Sequence, residues 1–141
     1  MDIIESIKYW VTTTSEEKLF MTIKNQYNLE LDIKRLYTGI VPSFTKSKVN
    51  EITIKVLDNG EYFDISSVEK VTVAYKDAYG RVLQKTCDFI NLNDHKVVLI
   101  NVSKLDIAIG NSDLTVTLED SFGRATLQSF KVDVIDGFNN N

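Results

Sequence analysis

From about residue 29 onward, apolar and polar residues alternate with a period of two, and this alternation limits most strongly what the chain can fold into. In LELDIK (29–34), Leu29, Leu31 and Ile33 alternate with charged residues, which is typical of a strand with one buried face. Turn-forming residues interrupt the pattern every 8–12 residues or so, as they do in β-sandwiches. The alternation therefore predicts an all-β antiparallel sandwich of seven to eight strands. Further strands are predicted at 51–57, 71–75, 81–89, 96–100, 113–119 and 125–135.

The 141 residues are close to the size of a single domain. We expect residues 29–136 to form the sandwich and residues 137–141 to be a tail or linker. We expect residues 1–28 to form an N-terminal arm. A capping pattern followed by an apolar stripe predicts a short helix at 15–27, although FMTI also fits a strand. The segment SKLDIAIG (103–110) is expected to be a one-turn helix or an irregular crossing between strands.

The N-terminal arm is rich in apolar residues. Such a segment either folds back onto its own domain as a lid or binds a neighbouring molecule, and the sequence leaves both possibilities open. Trp10 is the strongest contact candidate, because buried aromatic residues dominate interface energies. The interface candidates are Ile3, Ile4, Ile7, Tyr9, Trp10 and Phe20.

Two pentapeptides, DAYGR at 77–81 and DSFGR at 120–124, share one pattern: Asp, a small residue, an aromatic residue, Gly, Arg. An Asp at the start of a turn accepts hydrogen bonds from the N–H groups ahead of it, and Gly permits a positive φ. We interpret both as hairpin turns, with a binding role as the alternative. Asn-Gly at 59–60 is the strongest short hairpin signal. The predicted turn residues are Asn59, Gly60, Asp77, Gly80, Asp120 and Gly123.

No motif points to catalysis or to a bound cofactor. His95 is the only histidine and Cys87 the only cysteine, which argues against a zinc site and rules out an intrachain disulfide. We expect His95 to be a solvated loop residue and Cys87 to be a small buried hydrophobic residue. Most aspartates fall in predicted turns, and no P-loop, GxGxxG or GxSxG motif occurs. The sequence predicts no enzymatic activity, no catalytic residues, no metal and no cofactor.

The charge pattern argues against several partner classes. The net charge is −4 with a pI of about 5.0, and the Lys and Arg residues are scattered, so we expect no nucleic-acid partner. No stretch approaches the roughly 20 apolar residues of a membrane span. The first ten residues carry acidic side chains where a signal peptide needs basic ones. We expect a soluble protein without a secretion signal, folded in a reducing compartment.

Turn motifs in the order of the predicted strands carry a family resemblance. They are the strand–DNG–short strand–DIS unit at 51–66, the KDxxG turn at 76–80 and the EDxxGR hairpin at 119–124. In these motifs the chain resembles the N-terminal immunoglobulin-like domain of the baseplate upper protein family, found in phages of Gram-positive bacteria. The resemblance covers about three-quarters of the chain, residues 29–135.

The resemblance implies an immunoglobulin-like sandwich in a non-enzymatic virion protein that attaches fibre or receptor-binding parts to the tail baseplate. Its partners would be other virion structural proteins and copies of itself, in a trimer or hexamer-type ring, after synthesis in the host cytoplasm. The longer N-terminal arm departs from the family pattern, and so does the end of this sequence at Asn141, where the family usually continues into a stalk or a receptor-binding part. Either that part is missing from this sequence, or the protein is a short relative, with a capsid-bound head-fibre base or decoration protein as one alternative. A glycan- or receptor-binding module is another, with Tyr79 and Phe122 as possible glycan contacts and Tyr62 and Phe63 as further exposed aromatic candidates.

Overall fold

The chain is built almost entirely from β-strands over the residues that the structure describes. This computed structural model describes residues 24–46 and 49–135. Within these ranges the elements are β1 (Lys24–Asp32), β2 (Ser43–Thr45), β3 (Val49–Asp58), β4 (Glu61–Tyr62), β5 (Lys70–Lys76), β6 (Val82–Leu92), β7 (His95–Asn101), a 3₁₀-helix (Val102–Lys104), β8 (Gly110–Asp120), β9 (Gly123–Thr126) and β10 (Phe130–Ile135).

The strands form one continuous mixed sheet that curls around the core. Its order is β1, β3, β7, β6, β5, β8, β10 and β2, with β4 on β3 and β9 on β8. The pairs are antiparallel except at the two ends, where β1 runs parallel to β3 and β2 runs parallel to β10. β6 connects the two parts of the curled sheet, because its residues 82–87 pair with β5 and its residues 88–92 pair with β7. This curled arrangement confirms the predicted all-β, sandwich-like fold.

Alternate residues of the central strands make the core. In β5, Val71, Val73 and Tyr75 are buried and the residues between them are not, because successive side chains of a strand point to opposite faces. Each fully buried Val, Leu, Ile or Phe stabilises the fold by about 1.5–3 kcal/mol. Other large buried side chains are Leu31, Phe44, Ile52, Ile54, Val56, Ile65, Ile100, Ile107 and Leu114.

The two ends of the sheet meet at a seam between β1 and β2. The Tyr27 hydroxyl on β1 donates a hydrogen bond to the Ser43 carbonyl oxygen at 3.1 Å. The rings of Tyr27 and Phe44 pack edge to face, with centroids 5.4 Å apart. Phe44 is buried, so a strand of three residues contributes a large core side chain and joins the ends of the sheet.

A bulge divides the last predicted strand into β9 and β10. β9 ends with Thr126 opposite Thr117, and β10 begins with Phe130 opposite Leu114. Between these two pairs the chain advances four residues from β9 to β10 but only three along β8. This one-residue excess is that of a β-bulge. Leu127 lies in this interruption with its side chain buried.

The ends of the sheet differ from the sequence expectation. Residues 24–27 pair with β3 in parallel, so they belong to a strand rather than to a helix at 15–27, and the sandwich begins before residue 29. Residues 15–23 lie outside the described part of the chain. Residues 43–45 of the segment PSFTKSKVN (42–50), where alternation predicts no strand, form β2, and Phe44 enters the core.

The strand count and the pairing also differ in detail. Over the described residues ten strands replace the expected seven or eight, because β2 and β4 are additional short strands and the last predicted strand is divided into β9 and β10. The sheet is mixed rather than purely antiparallel, because each of its two edge strands, β1 and β2, runs parallel to its neighbour. The segment 103–110 contains most of the 3₁₀-helix and then an irregular crossing, fixed by a single bridge between Asp77 and Ile107.

Candidate docking face

β7 is apolar on both of its faces. Val98 and Ile100 point into the core, so the alternation of a strand directs Val97 and Leu99 to the outside of the sheet. Continuous apolar runs are typical of strands that are covered on both faces. The run VVLI at 97–100 is therefore a signal in the sequence for a second buried surface, and reasoning from alternation alone misses it.

Residues on neighbouring strands extend this apolar surface. Pairing places Ile90 of β6 opposite Val97, and Leu92 and Leu57 follow the same alternation on β6 and β3. None of these side chains belongs to the main core cluster, but Val97 is itself buried, at 1% exposure, whereas Leu92 is 36% exposed. We call this surface the outer face. It consists of Leu57, Ile90, Leu92, Val97 and Leu99.

A cleft of about 480 Å³ lies over part of the outer face. Leu57, Leu92 and Val97 line it from the sheet, and residues 35–40 line it from the loop after β1. In that loop Leu36 is 79% exposed and Ile40 is 62% exposed. Exposed apolar surface with a polar rim marks binding sites for other molecules.

The charged residues that line the cleft balance one another. They are Glu30, Asp32, Arg35 and Lys55, two acidic and two basic. Glu30 and Lys55 are direct neighbours across the β1–β3 pair. The cleft therefore carries no net charge that would select a strongly charged ligand, and its apolar surface dominates what it can bind.

Asp32 connects the wall of the cleft to the β3–β4 hairpin. Its carboxylate accepts hydrogen bonds from the N–H groups of Lys34 at 2.8 Å, Asn59 at 2.9 Å and Gly60 at 2.7 Å. Burial alone raises the pKa of Asp32, but these three N–H groups and the nearby charge of Arg35 outweigh it, and the pKa lies below 3.8. The carboxylate therefore stays ionised and holds the two segments together.

The Asn59-Gly60 turn has the geometry that its sequence predicts. Both residues have positive φ, 52° and 92°, as the central residues of a type I′ hairpin require. The guanidinium of Arg35 donates to the Asn59 side-chain oxygen and to its carbonyl oxygen, both at 3.2 Å. This turn thus supports the loop that forms one wall of the cleft.

His95 is a packed residue at the start of β7 rather than a solvated loop residue. Its ring stacks on Tyr62, with centroids 4.0 Å apart and an interplanar angle of 17°. The Tyr62 hydroxyl donates to the Lys96 carbonyl oxygen at 3.2 Å. Over residues 24–46 and 49–135, no three His, Cys, Asp or Glu side chains group as metal ligands would.

The first of the similar pentapeptides forms the β5–β6 turn around a buried carboxylate. Asp77 accepts from the N–H groups of Tyr79 at 2.9 Å and Arg81 at 2.8 Å, and the Arg81 guanidinium forms an ion pair with it at 2.8 Å. Burial alone raises the pKa of Asp77, but the bonds from Arg81 and Tyr79 outweigh it and lower the pKa below 3.8. Gly80 has a φ of 82°, in the region that favours glycine.

The second pentapeptide forms a shorter turn. Asp120 pairs directly with Gly123, so only two residues connect β8 and β9, whereas the Asp77 N–H donates to the Arg81 carbonyl oxygen across a loop of three. The Asp120 carboxylate accepts from the N–H groups of Phe122 at 2.7 Å and Gly123 at 3.0 Å. The leading Asp has the same role in both turns, but the loop lengths differ.

The two turns lie beside opposite ends of strand β5. β5 and β8 are antiparallel, with Lys70 opposite Glu119, so the turn after β5 and the turn after β8 are separated by the length of β5, roughly 20 Å at about 3.3 Å per residue. Tyr79 is 80% exposed and Phe122 is 95% exposed. The two rings therefore do not form a single glycan clamp, and each would have to act alone.

Comparison with known proteins gives a match in structure and none in sequence. A scan against protein-family models matches none, and a search of curated proteins finds no similar sequence. The fold is similar to that of the N-terminal domain of phage TP901-1 ORF48, with a TM-score of 0.55 and 10% sequence identity. The similarity covers 77% of this chain and 98% of that domain. At this identity the match establishes the fold alone.

The interface candidates of the arm, from Ile3 to Phe20, lie outside the described residues, so their contacts remain a prediction.

Cys87 is partly buried against the core. Within residues 24–46 and 49–135, no helix has the length and apolar character needed to cross a membrane.

Proposed function

We propose that this protein is a non-enzymatic structural component of a phage virion, an immunoglobulin-like module that docks onto the tail baseplate and acts in multiple copies. In this role it attaches fibre or receptor-binding parts to the assembly. The observation that carries the proposal is the similarity in fold to the N-terminal domain of phage TP901-1 ORF48, which extends over 98% of that domain. The turn motifs at 51–66, 76–80 and 119–124 support the same role.

The outer face supports a docking role. Leu92 at its edge and the loop residues Leu36 and Ile40 expose apolar side chains to solvent around the buried Val97. Protein interfaces have an apolar centre and a polar rim, and the balanced charges of Glu30 and Lys55 suit such a rim. A partner protein is therefore the kind of molecule that this surface fits.

Two measurements test the proposal. Mass spectrometry of purified virions of the phage that encodes the chain should detect it in multiple copies per particle. Light scattering of the purified chain over a range of concentrations should give a mass several times the 16.0 kDa of one copy. Absence from virions would contradict the structural role, and a monomer at every concentration would contradict self-association.

The alternatives predict different results in the same particles. A head-fibre base or decoration protein would be labelled by antibody at the capsid rather than at the tail. A glycan-binding module is favoured only by the exposed rings of Tyr79 and Phe122. It predicts binding to host cell-wall polysaccharide that is lost on Tyr79→Ala or on Phe122→Ala. The two substitutions are tested one at a time, because the rings lie beside opposite ends of β5.

A further inference from the structure

We infer that two copies of this chain pack face to face through the outer sides of β5 and β8, related by a two-fold axis that runs along these strands. In this contact the lysines of β5 lie over the acidic residues of the partner's β8. The inference rests on the proposed function, because it names the surface through which copies associate. We call this surface the β5–β8 face, and it consists of Lys70, Thr72, Ala74, Lys76, Asp113, Thr115, Thr117 and Glu119.

The alternation of the two strands determines which residues form this face. Val71, Val73 and Tyr75 of β5 are buried, and so are Val116 and Leu118 of β8. Because successive side chains point to opposite sides of a sheet, the residues between them lie on the outer side. These outer residues are exposed or half-buried, so the described part of the chain leaves the β5–β8 face open to another molecule.

Charges of opposite sign flank small residues on the β5–β8 face. The outer side of β5 carries Lys, Thr, Ala and Lys in turn, and the outer side of β8 carries Glu, Thr, Thr and Asp beside them. Lys76 and Asp113 are the next outward residues after the last listed pair. The face is therefore basic along one strand and acidic along its neighbour. The pairs across the two strands are Lys70–Glu119, Thr72–Thr117 and Ala74–Thr115.

This charge pattern is complementary to itself. A two-fold axis along the strands, between β5 and β8, places the partner's β8 over β5 and keeps corresponding ends of the strands together. Lys70 then faces the partner subunit's Glu119, and Lys76 faces the partner subunit's Asp113. Both contacts occur twice, because a two-fold interface uses the same surface on both copies. Packed sheets keep their strands within about 30° of each other, so all four contacts form together. This match favours a second copy as the occupant.

The centre of the face consists of small side chains that tolerate being covered. The Thr115 hydroxyl hydrogen-bonds with that of Ser129 at 2.5 Å, and the Thr117 hydroxyl with that of Thr126 at 3.1 Å. A buried hydroxyl is costly mainly when it has no hydrogen-bond partner. Since these hydroxyl groups already have partners within the sheet, covering them carries little penalty.

The charges at the two ends of the face are accessible to a partner. Lys70 and Glu119 are neighbours, yet among the ion pairs of the described residues none joins them. Asp113 forms an ion pair with Lys131 at 3.0 Å, but the two side chains are 60% and 64% exposed. A second cation can therefore approach Asp113. Exposed ion pairs are individually weak, so the contact needs all four.

The size of the face sets the strength of the contact. β5 and β8 with their neighbours β6 and β9 span roughly 20 Å by 20 Å, at about 3.3 Å per residue and 4.8 Å between strands. This is about half of the roughly 800 Å² that each partner contributes to a stable complex. Isolated copies should therefore associate weakly. Copies held side by side in an assembly would bind more tightly, because their effective concentration is high.

Charge reversal tests the contact in the full chain. The acidic variant carries Lys70→Glu and Lys76→Glu, which leave only acidic charges on the face. The basic variant carries Asp113→Lys and Glu119→Lys, which leave only basic ones. The exchanged variant carries all four substitutions, so each copy keeps opposite charges on neighbouring strands. Circular dichroism and thermal unfolding verify that every variant is folded.

A matched control separates the face from the net charge. Lys85→Glu combined with Lys104→Glu changes the net charge as much as the acidic variant does, at two exposed lysines outside the face. Each reversal changes the charge by two, so from −4 the basic variant becomes neutral. Repulsion between net charges therefore does not explain weaker association of the basic variant.

Sedimentation equilibrium over a range of concentrations gives the affinities. The wild type and the control should dimerise alike, and added salt should weaken both dimers by screening exposed charges. The acidic and basic variants should each self-associate roughly 30-fold more weakly, because four weak attractive contacts become repulsive. An equimolar mixture of the two should form a mixed dimer. The exchanged variant should dimerise with itself but not with fluorescently labelled wild type, since like charges would then meet.

Other results overturn the inference in distinguishable ways. Unchanged dimerisation of the acidic and basic variants would show that copies associate through another surface, and the proposed structural role would stand without this contact. Mixed dimers of the exchanged variant with the wild type would lead to the same conclusion, and they test the contact even if a face of one sign fails to fold. A wild type that is monomeric at every concentration would contradict both the contact and self-association, whereas the presence of the chain in virions is measured separately.

Discussion

Replacing Phe44 with alanine tests the packing that closes the sheet. Phe44 belongs to the three-residue strand β2, and its ring is buried against Tyr27 of β1. β2 holds its place through parallel pairing with β10 and through this side chain. The substitution therefore removes the edge-to-face aromatic contact between the two ends of the sheet.

The expected loss is large relative to the stability of a domain. Phe→Ala in a core costs about 3–5 kcal/mol, and the free energy of unfolding of a whole domain is only about 5–15 kcal/mol. For a chain of 141 residues, each kcal/mol lowers Tm by roughly 3–5 °C. A loss near the middle of the range corresponds to a fall in Tm of roughly 15 °C.

Urea unfolding followed by circular dichroism measures this loss, with Phe122→Ala as the matched control. Phe122 is almost fully exposed, so the same substitution there should change the free energy of unfolding by no more than about 0.5 kcal/mol. A loss below about 1 kcal/mol for Phe44→Ala would refute the reasoning. It would show that β2 does not place this ring in the core.

Two further predictions concern ionisable groups. The lowered pKa of Asp77 means that its stabilising effect is present above the unfolded-state pKa of about 3.8 and is lost as pH falls through the lower folded-state pKa. Asp77→Asn should therefore destabilise the fold at pH 7 and much less in strong acid, and an equal loss in urea midpoint at both pH values would contradict this. Burial, with a contribution from Asp88, raises the pKa of the Cys87 thiol to about 11. Alkylation of the native protein by iodoacetamide should therefore be slow at pH 8 and still accelerate above pH 10, whereas a rate that levels off near pH 9 would show an unshifted thiol.

Local sequence patterns predicted the features that depend on neighbouring residues. Alternation located β3, β5 and β7 to within two residues at each end, because each has its own buried face. Asn59-Gly60 and Asp77 were identified as turn residues because turn chemistry is set by a few adjacent residues. β2 was missed, since three residues carry no alternation and its partner β10 lies about 90 positions away.

The outer face was missed for the same physical reason. Its five residues come from three strands, and only the pairing of β3, β6 and β7 brings them together. The VVLI run gave a local indication at Val97 and Leu99, but nothing near Leu57 or Leu92 in sequence indicates a shared surface. The sequence also gave the two Asp-x-aromatic-Gly-Arg turns equal weight, although the antiparallel strands place Tyr79 and Phe122 at opposite ends.

The parallel pairing of β2 with β10 also constrains when the protein can fold during its synthesis. Residues 43–45 leave the ribosome early, yet their partners, residues 133–135, are translated only after almost all of the domain. Until then β2 has no strand to pair with, and contacts between residues so far apart in sequence form slowly. The seam between β1 and β2 therefore closes only after translation of the domain. A nascent chain keeps this apolar strand accessible to chaperones throughout elongation.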